Sequence, residues 1–167
     1  LKLRKGKYIL KTISTSGDEK YKDISSIIKL IDWSKEKDEA EGILSNPDVK
    51  LVTMTITESG YYINEKNKLN LNLELIKNNI QGKENNIIYS FLMAALKKRM
   101  LSINKKITLL CCDNIRENGK MLQDCLKEYL SASKEYELLE WIEENVSFPS
   151  CVVDRITPRT PEFLKSE

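Results

Sequence analysis

Histidine is absent from the 167 residues of this sequence. The absence excludes, within the chain, a Ser-His-Asp triad, a histidine general base and a metal site built on imidazole. Four cysteines are present, at positions 111, 112, 125 and 151, but no two of them have the Cys-x-x-Cys spacing of zinc ligands. We therefore expect no zinc site. We expect Cys111 and Cys112, inside an apolar run, to pack as small hydrophobic side chains in a reducing cytoplasm.

The sequence also lacks long apolar runs and a large excess of one charge. The longest apolar run, residues 91–96, is far shorter than the roughly 20 residues that a membrane-spanning helix needs. The formal net charge of +2 is too small to favour a nucleic-acid partner. We expect neither a membrane nor a nucleic-acid partner, and we see no signal-peptide pattern. Because the first residue is leucine, we expect the chain to be an internal piece of a longer polypeptide.

The amino-terminal part predicts a hairpin and a short helix. Residues 7–13 alternate polar and apolar side chains, as a half-buried strand does, and residues 14–18 have turn chemistry. Residues 19–28 suit either the second strand of a hairpin or a short helix. Ser34 is a candidate cap for a helix over residues 35–44.

Strands and helices alternate along the rest of the chain. Runs rich in apolar and β-branched residues predict strands, and apolar positions recurring every three to four residues predict helices. The predicted elements are strands over 49–56, 105–112 and 150–156, and helices over 86–101, 118–130 and 137–146. Residues 57–72 are polar and irregular. The pattern predicts an α/β fold with a mostly parallel sheet, helical crossovers and an amino-terminal β-hairpin.

Polar side chains follow each of the three predicted strands of the sheet. In such sheets the ligand crevice lies outside the carboxyl ends of the strands, so we expect these side chains to share one rim. They are Thr57, Glu58, Asp113, Asn114, Asp154 and Arg155. A cluster of amides, hydroxyls and carboxylates suits a small polyhydroxylated or phosphate-bearing ligand.

Each of these positions also has a purely structural interpretation. Asp113 or Asn114 could cap the helix that follows, and Asn118-Gly119 could form only a turn. Asp154 and Arg155 could form an exposed ion pair, and Glu58 could be a solvated loop charge. Taken one at a time, none of these residues identifies a reaction.

Three segments resemble one family, the polyol-specific long-chain dehydrogenases, in their order and spacing. The segments are VTMTITESGYY at 52–62, LLCCDNIRENGKML at 109–122 and WIEENVSFPSCVVDRITPRTP at 141–161. The family includes mannitol dehydrogenase, D-arabinitol 4-dehydrogenase and the hexuronate reductases. Residues 6–27 resemble the hairpin region of the arabinitol branch, which the "CCDN" spelling also favours slightly.

The resemblance implies a metal-free oxidoreductase with an amino-terminal Rossmann domain that binds NAD and a helical carboxyl-terminal domain that supplies the base. The enzyme would interconvert a polyol and its ketose. Asn114 would hold the reacting oxygen, and Asp154 with Arg155 would bind the substrate. The cofactor side would be lined by Thr55, Thr57, Glu58, Asp113 and Val153.

Two parts of the family pattern are missing from these residues. No G-x-G-x-x-G phosphate turn occurs, and neither does the Lys-x4-Asn-x2-His motif that carries the family's base. We therefore expect residues 1–167 to be a partial NAD-binding domain, without its first strand, its glycine-rich turn and the catalytic helical domain. The alternatives are a hexuronate reductase of the same family, a non-catalytic fragment or subunit that needs a complementary chain, and a sugar-phosphate binding module.

Overall fold

The structure is a computed structural model that describes residues 6–152 and residue 154. The chain divides into two compact units, residues 1–40 and residues 41–167. The predicted strand over 150–156 and the site residues Val153 and Arg155 lie partly or wholly outside the described residues.

The first unit contains the β-hairpin that the alternating pattern predicts. Strand β1 (Tyr8–Ile13) pairs antiparallel with β2 (Glu19–Ile24), and the pairing runs from Tyr8 opposite Ile24 to Ile13 opposite Glu19. The strand alternative for the second segment is thus confirmed over its first six residues. Gly17 closes the turn with φ of +89°, in the left-handed region that glycine adopts without strain.

The first helix is shorter than predicted, and its start is organised differently. Helix α1 (Lys37–Gly42) is followed by a 3-10 turn, Ile43–Ser45. The hydroxyl of Ser34 donates to the Asp32 carboxylate at 2.6 Å, so it does not cap the helix. The chain entering the helix is instead held by Glu36, whose carboxylate accepts the backbone N–H of Asp32 at 2.8 Å.

The second unit is built on a parallel sheet of three strands in the order β3-β4-β5, which confirms the predicted α/β class. Two helices lie between the first pair of strands in the sequence and two between the second pair. The elements are β3 (Leu51–Met54), α2 (Glu74–Ile80), α3 (Ile88–Ser102), β4 (Ile107–Cys111), α4 (Asn118–Ala132), α5 (Tyr136–Asn145) and β5 (Val146–Ser147). Helix α2 lies in a segment to which the sequence assigned no element.

The third strand does not lie where its β-branched residues predict. Val146 and Ser147 pair with Ile107 and Thr108, whereas residues 150–152 and residue 154 form no strand. The physical reason is a competing set of hydrogen bonds. Pro149 has no N–H to give to a ladder, and the N–H of Cys151 bonds to a side chain of α4.

Helices α3, α4 and α5 contact one another, and α4 also contacts the central strand β4. The fully buried side chains include Leu92, Leu96, Leu109, Leu122, Leu126, Tyr129 and Leu138. None of the helices in the described part of the chain combines the length and apolar character that crossing a membrane requires.

A buried arginine ties the amino-terminal ends of β3 and β4 together. Arg99, near the end of α3, is 1% exposed. Its guanidinium donates to the carbonyl oxygens of Leu44 (2.5 Å) and Asn46 (3.4 Å), which precede β3. It also donates to those of Lys105 (2.6 Å) and Lys106 (2.8 Å), which precede β4. Burial lowers the pKa of Arg99, but an arginine stays charged in proteins. The network therefore holds together the two segments that lead into β3 and β4.

Replacing Arg99 by leucine should lower the free energy of unfolding of the chain by about 2–4 kcal/mol, because one buried and three partly buried hydrogen bonds to carbonyl oxygens are lost. Urea titration followed by circular dichroism measures the change. Arg116→Leu is the matched control, because Arg116 is exposed, and it should stay within about 0.5 kcal/mol of the wild type. Equal stability of the two variants would contradict the assigned role.

Candidate functional site

The carboxyl ends of β3 and β4 lie side by side at one edge of the parallel sheet. Met54 and Cys111, the last residues of the two strands, are paired in register. The N–H of Cys112 donates to the carbonyl oxygen of Met54 at 2.6 Å, so the pairing continues one residue past the strand. The two loops that follow therefore start from neighbouring positions, as the sequence analysis expected.

These two loops enclose a cavity of about 400 Å³. Five of the predicted site residues line it: Thr55, Thr57, Glu58, Asp113 and Asn114. Ile56, Cys112 and Ile115 complete its wall. Both polar and apolar groups face the space, as in pockets that hold a small organic ligand.

Asp113 is held in place by two hydrogen bonds. Its carboxylate accepts the Tyr61 hydroxyl at 2.7 Å and the backbone N–H of Ile115 at 3.1 Å. Asp113 is 7% exposed and Tyr61 is fully buried. Burial, with the nearby Cys111 and Asp113, raises the pKa of Tyr61, so the phenol stays protonated and donates. The Asp113 carboxylate thus closes a turn and anchors the neighbouring loop.

The anchored loop carries the β3 side of the cavity. Tyr61 ends a 3-10 turn (Glu58–Tyr61), and its carbonyl oxygen accepts the Tyr89 hydroxyl at 2.9 Å. Thr57 and Glu58 precede it on the rim, and the hydroxyls of Thr57 and Ser59 lie 3.2 Å apart. Tyr61 therefore fixes Thr57 and Glu58 relative to the end of β4.

Asn114 presents an exposed amide to the same cavity. An amide offers donors and an acceptor without a charge, so it can bind hydroxyl, carbonyl or carboxamide groups of a ligand. The residue before α4 is Glu117, and the helix has no side-chain cap there. Capping of α4 by Asp113 or Asn114, the structural alternative, is therefore wrong.

The predicted third part of the rim is described only at Asp154. Asp154 is exposed, and it is not among the residues that line the cavity. Its predicted neighbours Val153 and Arg155 lie outside the described residues. Because the strand is at Val146–Ser147, Asp154 does not directly follow a strand as the sequence analysis expected.

The cysteines around the site are thiols rather than thiolates. Burial raises the pKa of Cys111, and burial together with the nearby Cys151 thiol raises the pKa of Cys112. Both groups are protonated at neutral pH and are poor nucleophiles. Within residues 6–152 and residue 154, no group of three or more carboxylate or thiol side chains could hold a metal ion.

Two features of the site were missed by the sequence analysis. Tyr61 was quoted only as part of a motif, and nothing in its spacing shows that it reaches Asp113, which is 52 residues away. Asn118 and Gly119 begin α4, as the helix predicted over 118–130 requires, so the turn alternative is wrong. What the sequence did not show is that both residues are buried.

Comparison with known proteins gives the family. A family model described as the mannitol dehydrogenase Rossmann domain matches residues 1–167. The chain belongs to this family. It is 36% identical, over 92% of its length, to the D-arabinitol 4-dehydrogenase of Klebsiella pneumoniae, and 31% identical, over 99%, to that of Ralstonia nicotianae.

A solved structure of the family has the same fold. The mannitol 2-dehydrogenase of Pseudomonas fluorescens, in a ternary complex with NAD and D-mannitol, matches 99% of this chain with a TM-score of 0.81 and 27% identity. The chain covers 34% of that protein, and 34% and 36% of the two arabinitol dehydrogenases. It thus spans about a third of the length of these relatives.

Tyr61→Phe should lower the free energy of unfolding by about 1–3 kcal/mol, because the buried Asp113 carboxylate loses a donor. Chemical denaturation gives the value. Tyr62→Phe is the matched control, since Tyr62 is the adjacent residue and only half-buried. If both variants are equally stable, the Tyr61–Asp113 bond does not anchor the loop.

Proposed function

We propose that the chain is the cofactor-binding part of a polyol dehydrogenase, which transfers hydride between NAD and a polyol such as D-arabinitol or mannitol. The observation that carries the proposal is the convergence of Thr55, Thr57, Glu58 and Asn114 on one cavity at the carboxyl ends of parallel strands. Membership of the mannitol dehydrogenase family and the names of the matched relatives support it.

The residues at the cavity fit one end of a nicotinamide cofactor. Two threonine hydroxyls, at positions 55 and 57, and the Asn114 amide suit ribose hydroxyls and a carboxamide. Glu58 can accept hydroxyl hydrogen bonds at the same rim, while Ile56 and Ile115 exclude water from one side. When bound, NAD would supply the hydride acceptor. We assign Asp113 to the cofactor side as well, acting through the turn that its carboxylate closes.

Asn114 is the residue that we assign to the reacting oxygen. The substrate oxygen gains negative charge when the base removes its proton or, in the reverse reaction, when hydride reaches the carbonyl carbon, and a preorganised amide donor stabilises it. A neutral amide also leaves the proton of the hydroxyl for a separate base. In this proposal the base is a lysine of the carboxyl-terminal domain, outside these residues.

Asp154 and Arg155 are assigned to the substrate, and Val153 to the cofactor. A carboxylate accepts two hydroxyl hydrogen bonds, the pattern that neighbouring hydroxyls of a polyol offer. In this proposal the chain is part of a two-domain cytoplasmic enzyme whose catalytic helical domain completes the site. The substrate of that enzyme is a small polyol or ketose.

In the full polypeptide, Asn114→Ala should lower kcat for polyol oxidation about 100-fold, because the developing alkoxide loses its donor. Asn85→Ala, at an exposed asparagine away from the cavity, should leave kcat unchanged. The absorbance of the reduced cofactor gives the rate with D-arabinitol, D-mannitol and fructuronate as substrates. The same assay, run with NAD or NADP as cofactor, ranks the substrates and the cofactors. Unchanged kcat in Asn114→Ala removes this residue from the mechanism. Reduction of fructuronate without activity on either polyol makes the enzyme a hexuronate reductase.

For the isolated 167-residue chain, titration calorimetry should show NAD binding weaker than micromolar, because the sequence has no glycine-rich phosphate turn. Micromolar binding would show that this cleft holds the cofactor without that turn. Injection of NAD into buffer without the protein is the control for heats of dilution.

A further inference from the structure

The chain that leads to Asp154 is fastened to α4 by one buried side chain, that of Asn118. Asn118 is fully buried at the first position of the helix. Its amide nitrogen donates to the carbonyl oxygens of Cys111 (3.2 Å), Asp113 (3.1 Å) and Cys151 (3.1 Å). Its amide oxygen accepts the N–H of Cys151 at 3.1 Å and the N–H of Gly119 at 2.9 Å. One amide therefore binds both the end of β4 and the segment after β5.

Only an asparagine satisfies this set of partners. The carbonyl oxygens need a donor, and the Cys151 N–H needs an acceptor, on the same short side chain. A carboxylate of the same size would place a charged acceptor against three carbonyl oxygens, and an apolar side chain would remove all five of these hydrogen bonds.

Gly119 allows the same segment to approach closely. A Cβ at position 119 would lie 2.4 Å from the carbonyl oxygen of Pro149 and 2.5 Å from that of Phe148. Both are backbone atoms, so any side chain would push the segment away from α4. The Gly119 N–H also donates to the Ser150 hydroxyl at 3.2 Å.

The fastening has a consequence for the site. Three peptide units separate Cys151 from Asp154, so their Cα atoms lie within about 11 Å of each other. Asn118 binds the carbonyl oxygen of Asp113, the residue immediately before Asn114. Asn118 thus restrains, at one point, both the backbone that leads to Asp154 and the backbone that leads to Asn114.

We propose that Asn118 is a positioning residue that sets the spacing between Asn114 and Asp154 in the active site. Gly119 contributes because its lack of a side chain lets the segment after β5 lie close to α4. The catalytic part of this inference rests on the proposed polyol dehydrogenase function. Asn118 does not touch the substrate, and it acts through the backbone on either side of the cleft.

Alkylation of the cysteines tests the fastening without reference to activity. The Cys151 thiol donates to the Cys111 carbonyl oxygen at 2.8 Å, and Cys151 is half-buried beside Asn118. In the full polypeptide, Asn118→Asp should raise the rate of Cys151 alkylation by iodoacetamide about tenfold, the change expected for the loss of one ordinary hydrogen bond. Gly119→Ala should act in the same direction. Peptide mass spectrometry resolves the rate at each cysteine.

Two controls separate local release from unfolding. Cys125 is fully buried in α4 and should stay protected in both variants. Asn145→Asp is the matched change, because the Asn145 amide donates to one carbonyl oxygen, that of Trp141, away from the site. Unchanged Cys151 protection in Asn118→Asp overturns the proposal, and so does a parallel rise at Cys125.

Kinetics then test the positioning role. Asn118→Asp should lower kcat at least tenfold and raise KM for the polyol, while the Kd of the cofactor changes less than threefold. The positioning role is contradicted if cofactor affinity and kcat fall by the same factor. It is also contradicted if Cys151 is alkylated faster while kcat is unchanged. A wild-type polypeptide without activity on any polyol rejects the proposed function instead, and the Cys151 rates still decide whether Asn118 fastens the segment.

Discussion

The site depends on the register of β3 and β4, which the buried guanidinium of Arg99 helps to hold. The guanidinium carries a full charge, and its partners are backbone carbonyl oxygens that precede β3 and β4. A register shift between these parallel strands would separate at least one of those oxygens from the guanidinium, and a buried carbonyl without a donor is costly. Since register fixes which residues leave the sheet side by side, an interaction at one end of the strands determines which loops enclose the cavity at the other end.

The site is held together by contacts between segments that are far apart in the sequence. Strand pairing brings the loops after β3 and β4 together. The Tyr61–Asp113 bond then anchors one loop to the other across 52 residues. The amide of Asn118 adds the segment after β5, 33 residues further along the chain. Rigid elements thus carry a rim of exposed polar groups, and the side chains that hold the rim together are buried beneath it. This arrangement places the polar groups of the rim on buried supports that restrict their movement.

The sequence predicts the sheet and most of the rim because these depend on local signals. β-branched runs mark β3 and β4, and polar residues mark the points where the strands end. The misplaced third strand shows the limit of this reasoning. The sequence of residues 150–156 has strand propensity, but Pro149 and the hydrogen bonds between Asn118 and Cys151 override it over the described residues 150–152. Helix α2 is too short to show a clear periodicity of apolar residues. The roles of Arg99 and Tyr61 depend on contacts between segments that are distant in the sequence.

The two units differ sharply in how much side-chain surface they bury. Every residue of β1 is exposed, and so is most of β2, whereas β4 alternates fully and partly buried side chains. A two-stranded hairpin whose strand residues are almost all exposed draws little free energy from burial, and such elements open locally. Amide protons along the hairpin will therefore exchange with deuterium long before those of the central strand β4. Hydrogen exchange on a single polypeptide will thus measure two separate opening equilibria, one for the hairpin and one for the sheet.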